Sequence, residues 1–203
     1  MKRGKMNLLI AAVILIIVVA GSSVVLLTQP NSEVAEKEVT SVEEEYAVIE
    51  TKYGKMVMKF FSENAPGHVQ NFKNLTKQGF YDETTFHRVI PGFMIQGGDP
   101  NSKDDDRAND GIGGPGYSIS AEFNDISHKR GIVSMARSQD PNSAGSQFFI
   151  VVKSYPSLDH QYTVFGEIIE GMDVADKIVA EPRDALDNPL TKVEMKIIIT
   201  TTP

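Results

Sequence analysis

Phe86-His87-Arg88-Val89-Ile90-Pro91-Gly92-Phe93-Met94-Ile95-Gln96-Gly97-Gly98-Asp99 joins one arginine to a cluster of large apolar side chains, with glycine-bearing turns within and after it. The runs at 85–89 and 93–96 read as short strands separated by Pro91-Gly92, because their apolar and β-branched residues are bounded by turn formers. One arginine among so many apolar neighbours fits a pocket with a single charged donor at its rim.

Working outward, residues 46–50 and 55–60 flank Tyr53-Gly54 and read as two strands joined by a turn. Asn64-Ala65-Pro66 opens a helix: Pro66 suits the first turn, Val69, Phe72 and Leu75 recur at three-residue steps, and Gly79 suits the stop. Further short apolar runs at 131–135, 147–152 and 163–168 read as strands. Residues 172–179 place Val174, Ala175 and Ile178 on one helical face, and 193–200 reads as a closing strand. Many short strands with only two helices suggest a closed or nearly closed antiparallel sheet, since closure removes unpaired edges.

The chemistry of the opening run returns in Ser134-Met135-Ala136-Arg137, in Gly145-Ser146-Gln147-Phe148-Phe149-Ile150, and in Leu158-Asp159 leading to Tyr162-Thr163-Val164-Phe165-Gly166. These four segments, in this order, resemble the cyclophilin family of peptidyl-prolyl isomerases, in its bacterial-like branch. The resemblance covers about residues 47–200. It implies a mainly β fold, a closed antiparallel eight-stranded barrel capped by two α-helices, and cis-trans isomerisation of Xaa-Pro bonds without a cofactor.

The resemblance also implies roles for individual residues. Arg88 takes the catalytic position, with Gln96 beside it; read alone, Arg88 is equally an ordinary surface arginine. Phe93, Met94, Phe149 and Leu158 match the apolar wall that receives the substrate proline ring. Gln147 matches a position that orients substrate and arginine, and Gly111 a glycine near the neighbouring pocket. Ala136 and Arg137 stand where many eukaryotic members carry Ala-Asn, whose backbone pairs with the substrate chain. Tyr162 stands where many members have histidine, and Ser157 near the position of a tryptophan in others. Those two departures imply that cyclosporin binds only weakly. The alternative reading is a proline-peptide binding module or holdase with little turnover.

Other signals fail on context. Gly111-Ile112-Gly113-Gly114-Pro115-Gly116 has dinucleotide-type glycine spacing but no strand-to-helix setting. Residues 106–117 have acids at calcium-loop spacing, yet Ala108 and Tyr117 occupy ligand positions. The four histidines are dispersed, without metal-pair spacing on one element, and His87 reads as structural.

The first 27 residues stand apart. Lys2, Arg3 and Lys5 precede residues 8–27, an uncharged stretch that as a helix would reach about 30 Å, one bilayer crossing. Val18-Val19-Ala20 before Gly21 is acceptable to a signal peptidase, but the apolar run continues through Leu27 and exceeds the usual signal length of ~7 to 15 residues. An uncleaved anchor is therefore favoured over a cleaved signal, with the basic end retained in the cytoplasm and the rest of the chain outside. Cleavage would instead release a secreted protein. The glutamate-rich residues 28–45 read as a solvated linker, with a coil reach on the order of 25 Å, and residues 46–203 as the isomerase domain.

The chain has no cysteine, which excludes disulfides, thiol catalysis and a lipid-modified cysteine. Beyond the apolar segment 17 basic residues face 27 acidic ones, a formal charge of −10, which argues against nucleic acid as partner. The expected partners are proline-containing polypeptides and, through the N-terminal helix, the membrane. The domain is expected to be a monomer.

Overall fold

The computed structural model describes residues 43–203; the expected anchor, and the linker up to residue 42, lie outside the described residues. Among the described residues no helix is long and apolar enough to cross a membrane.

Eight strands form one antiparallel sheet: β1 (Tyr46–Thr51), β2 (Gly54–Phe60), β3 (Arg88–Ile90), β4 (Met94–Gly97), β5 (Ile132–Met135), β6 (Phe148–Val151), β7 (Val164–Glu170) and β8 (Met195–Thr200). Their order across the sheet is β3-β4-β6-β5-β7-β2-β1-β8. The β1–β2 hairpin turns where the sequence places it, with Thr51 opposite Gly54 and Gly54 at φ 128°, a backbone state that glycine tolerates without Cβ strain.

The fully closed barrel is corrected to a curled, open sheet, since β3 and β8 do not pair as strands. A single bridge, Thr85 opposite Glu194, links the segments that precede them, with Phe86 N–H donating to Val193 O and Met195 N–H to Thr84 O. The cause lies in β3. Pro91-Gly92 ends it after three residues, and its edge amide at Val89 donates to Asp187 O in the loop before β8. That loop occupies the edge a neighbouring strand would need.

Helix α1 (Pro66–Lys77) buries Val69, Phe72 and Leu75. Phe72 lies 4.9 Å from the Tyr81 ring, 5.3 Å from Phe165, 5.4 Å from Phe148 and 5.9 Å from Phe60, so one aromatic side chain fastens the helix to three strands. Helix α2 (Met172–Val179) buries Val174, Ala175, Ile178 and Val179. At the start of the domain Glu44 pairs with Lys59 at 2.7 Å and Glu45 with Lys73 at 2.9 Å, so the last acidic residues of the expected linker sit on the domain.

The strands of the site carry two apolar faces, which is why their sequences read as continuous apolar runs rather than alternating ones. Val89, Ile95, Phe148, Ile150, Val133 and Phe165 join the main core. Their sequence neighbours Met94, Phe149, Val151, Ile132 and Val164 form a second cluster, against which Ile90, Phe93, Ala136, Leu158 and Tyr162 pack. This follows from the period of two along a strand.

Candidate active site

Register places the site residues in one row. Arg88 on β3 lies opposite Gln96 on β4, Gln96 opposite Phe149 on β6, and Phe149 opposite Ser134 on β5. All four therefore share the face that carries the second apolar cluster.

A groove of about 330 Å³ opens over this row, lined by Arg88, Phe93, Met94, Gln96, Ala136, Arg137, Phe149, Leu158 and Tyr162. Nine of the eleven residues singled out from the sequence thus line one cavity. The other two, Gly111 and Gln147, line a second cleft of about 690 Å³ that shares Gln96, Ala136 and Arg137 with the first.

A relay of amides holds the polar edge. Arg88 Nη1 donates to Gln96 Oε1 at 3.4 Å, and Gln96 Nε2 donates to Gln147 Oε1 at 2.9 Å. Gln147 Nε2 donates in turn to the carbonyls of Gly111 and Gly113 at 3.0 and 2.9 Å. Asp99, fully buried, accepts from the backbone amides of Gly111, Gly113 and Asn101, which anchors the loop those carbonyls belong to. Gly98 precedes it at φ 83°, where a Cβ would come within 2.6 Å of Ser146 O; only glycine lets the two chains approach so closely at that backbone angle.

The apolar side is held by rings. Phe149 meets Tyr162 edge-on at 5.4 Å between centroids, and His128 lies nearly parallel to Phe149 at 6.1 Å. Phe93 packs against Tyr155 at 4.5 Å.

Sequence reasoning missed what lies behind Phe149. His128 Nδ1 is 2.9 Å from Asp159 Oδ1 and its Nε2 is 3.0 Å from Ser134 Oγ. Asp159 also accepts from the His128 backbone amide at 2.8 Å and from the Ser127 hydroxyl at 2.7 Å. Burial alone would raise the Asp159 pKa, but these donors outweigh it and hold it at about 2. Burial lowers the pKa of His128 despite the carboxylate beside it, which favours a neutral ring that can donate at one nitrogen and accept at the other. The signal was present in Leu158-Asp159, but His128 lies 31 residues away in sequence. His87 is buried, and burial lowers its pKa against the opposing pull of Asp99 and Asp110, in keeping with a structural side chain. Among the described residues no three His, Cys, Asp or Glu side chains cluster as metal ligands.

The model of the cyclophilin-type peptidyl-prolyl cis-trans isomerases matches residues 46–200. The chain belongs to this family. A probable peptidyl-prolyl cis-trans isomerase of Brucella abortus is 45% identical over 140 residues, 66% of this chain and 71% of that protein. A Helicobacter pylori peptidyl-prolyl cis-trans isomerase is 43% identical over 150 residues, 72% of this chain and 86% of its own length. A crystal structure of a Cryptosporidium parvum cyclophilin-type isomerase, determined in the presence of the dipeptide Ala-Pro, superposes with a TM-score of 0.70 at 35% identity. The superposition covers 76% of this chain and 98% of the Cryptosporidium one. The described part of the chain is thus a cyclophilin domain, and the protein is a peptidyl-prolyl cis-trans isomerase. Its curled eight-stranded sheet with two helices is the fold it shares with that crystal structure.

Proposed function

We propose that this cyclophilin domain accelerates cis-trans exchange of Xaa-Pro bonds in exported polypeptides as they fold, and that the apolar segment 8–27 tethers it to the outer side of a membrane. Rotation about the prolyl bond makes and breaks no covalent bond, so it needs no nucleophile, base or cofactor. The barrier, ~18 to 20 kcal/mol, comes from the double-bond character of the amide. As the amide twists, its nitrogen becomes pyramidal and gains a lone pair. A donor aimed at that nitrogen binds the twisted state better than the planar one, which is what lowers the barrier.

One observation carries this reading: the Arg88 guanidinium borders the groove at the end of the Gln96–Gln147 relay, beside a wall of Phe93, Met94, Phe149 and Leu158. The wall takes the proline ring, Arg88 meets the nitrogen, and the two glutamines hold Arg88 in place. Gly111 O and Gly113 O fix Gln147, and Ala136 and Arg137 lie along the groove where a substrate chain would pair. Uncatalysed exchange takes tens to hundreds of seconds and can limit folding, so an isomerase outside the membrane would shorten the life of partly folded exported chains.

The test is exchange NMR on a proline peptide with a fragment of residues 46–203. Faster cis-trans exchange without metal or nucleotide is expected. Unchanged exchange with folded protein, combined with measurable peptide binding, would establish a binding module instead.

A further inference from the structure

The five arginines of the described residues divide into two groups. Arg107, Arg130 and Arg183 are paired with Asp184, Asp176 and Asp187. Arg88 and Arg137 have no carboxylate partner among the described residues, and both line the 330 Å³ groove. Among the described residues no Asp or Glu lines that groove or the larger cleft beside it. On a chain with 27 acidic and 20 basic residues, the binding surface is thus an island of uncompensated positive charge.

Arg137 sits where the two cavities meet, lining both. It is half-buried and held from several sides: Nε donates to Gln161 O at 2.9 Å, Nη1 donates to Ser138 O at 2.8 Å, and Cζ lies 4.8 Å above the Tyr162 ring. Nη2 makes no hydrogen bond among the described residues. A guanidinium fixed in this way has given up its side-chain freedom before any ligand arrives, so a carboxylate meeting it has less ordering entropy to overcome.

We propose that this site selects peptides bearing an acidic side chain, Asp or Glu, one or two residues from the proline, where the chain passes from the groove into the larger cleft and meets Arg137 Nη2. The inference rests on the groove being the proline site of the proposed function. Arg88 adds to the positive field but meets every substrate alike; Arg137 distinguishes between them. A charge-assisted hydrogen bond at this half-exposed position favours glutamate over its neutral isostere glutamine by about two- to fivefold at low salt.

The test uses proline peptides that differ only by Glu, Gln or Lys at one of the two positions before or after the proline. Both kcat/KM, by exchange NMR, and Kd, by chemical-shift titration, are measured at low and physiological salt. At one of the four positions Glu is preferred over Gln and Lys is disfavoured, with the preference shrinking as salt screens the pair. Arg137→Gln brings the Glu-to-Gln ratio to about one, whereas Arg137→Lys, which keeps the charge but loses the planar fork, retains part of it. Equal affinity for Glu and Gln at all four positions would overturn the inference, as would a preference that survives Arg137→Gln in protein with an unchanged circular-dichroism spectrum. The two readings fail separately: binding without accelerated exchange removes the turnover assignment, while the Kd ratio still decides the selectivity.

Discussion

At the residue scale, Arg88 and Phe149 line the same groove, and the proposed mechanism gives them separable tasks. In that mechanism Arg88→Ala removes the donor to the twisted amide, so kcat should fall about a hundredfold or more, the ~2.7 to 4 kcal/mol typical of one well-placed transition-state donor. Peptide affinity should change little, because the wall remains. Phe149→Ala should show the opposite pattern, weakening peptide binding more than turnover. Kinetics of the two variants, each checked by circular dichroism, settle the assignment: a near-normal kcat in Arg88→Ala would remove the arginine from the chemistry. The groove residues were legible in sequence because each sits in a contiguous motif. The Asp159–His128–Ser134 chain was not, since nothing in a linear sequence says that Ser134 shares a buried face with Phe149 until the β5–β6 register is fixed.

At the element scale, the strand pattern and both helices follow from period and turn chemistry: α1 falls where Pro66, apolar spacing and Gly79 placed it, and α2 where its apolar face did. The expected barrel closure failed for a local reason: an apolar run does not reveal that its edge amide will pair with a loop, as Val89 does with Asp187. The hold of α1 on the sheet is concentrated in Phe72. Phe72→Ala should therefore destabilise the domain by about 3–5 kcal/mol, the usual range for removing a fully buried aromatic. Urea unfolding is the measurement, and a change below about 1 kcal/mol would mean that α1 is held mainly by its other contacts. The short helical turn Pro156–Leu158 brings exposed Ser157 beside the groove. A serine there and Tyr162 at the wall offer a large cyclic ligand less fitted surface than tryptophan and histidine would. Cyclosporin should accordingly bind more weakly than to members carrying those residues, and an equal affinity by fluorescence-free titration calorimetry would refute this.

At the scale of the whole molecule, His68, His87 and His128 are all buried, and burial lowers the pKa of each. Above the ordinary histidine value of about 6.5 the folded and unfolded chains are both neutral at these positions, so the stability is intact. As pH falls below it, the unfolded chain takes up protons that the folded chain resists, so stability should decline progressively through the acid range. Asp159 adds a second loss of the same sign below about 3.8, continuing toward its folded value of about 2. Chemical denaturation between pH 7.5 and about 5 checks the histidine part; a flat profile would show that other groups compensate. The proposed tether predicts a membrane-bound product that retains residues 8–27, read by fractionation and N-terminal sequencing. A soluble species beginning at Gly21 would replace the anchor with a cleaved signal.

The row from Arg88 through Gln96 and Phe149 to Ser134 has its alternate neighbours in the main core. Each of these strands consequently carries two interleaved alphabets, one spelling foldedness and the other spelling clientele. A library that randomises only Met94, Ala136, Arg137, Leu158 and Tyr162 explores new peptide preferences while leaving the main core untouched. Randomising Ile95, Phe148 or Val133 instead spends the same effort on melting temperature. Homologues diverging toward different clients have this separation available to them, since drift in one alphabet leaves the other readable.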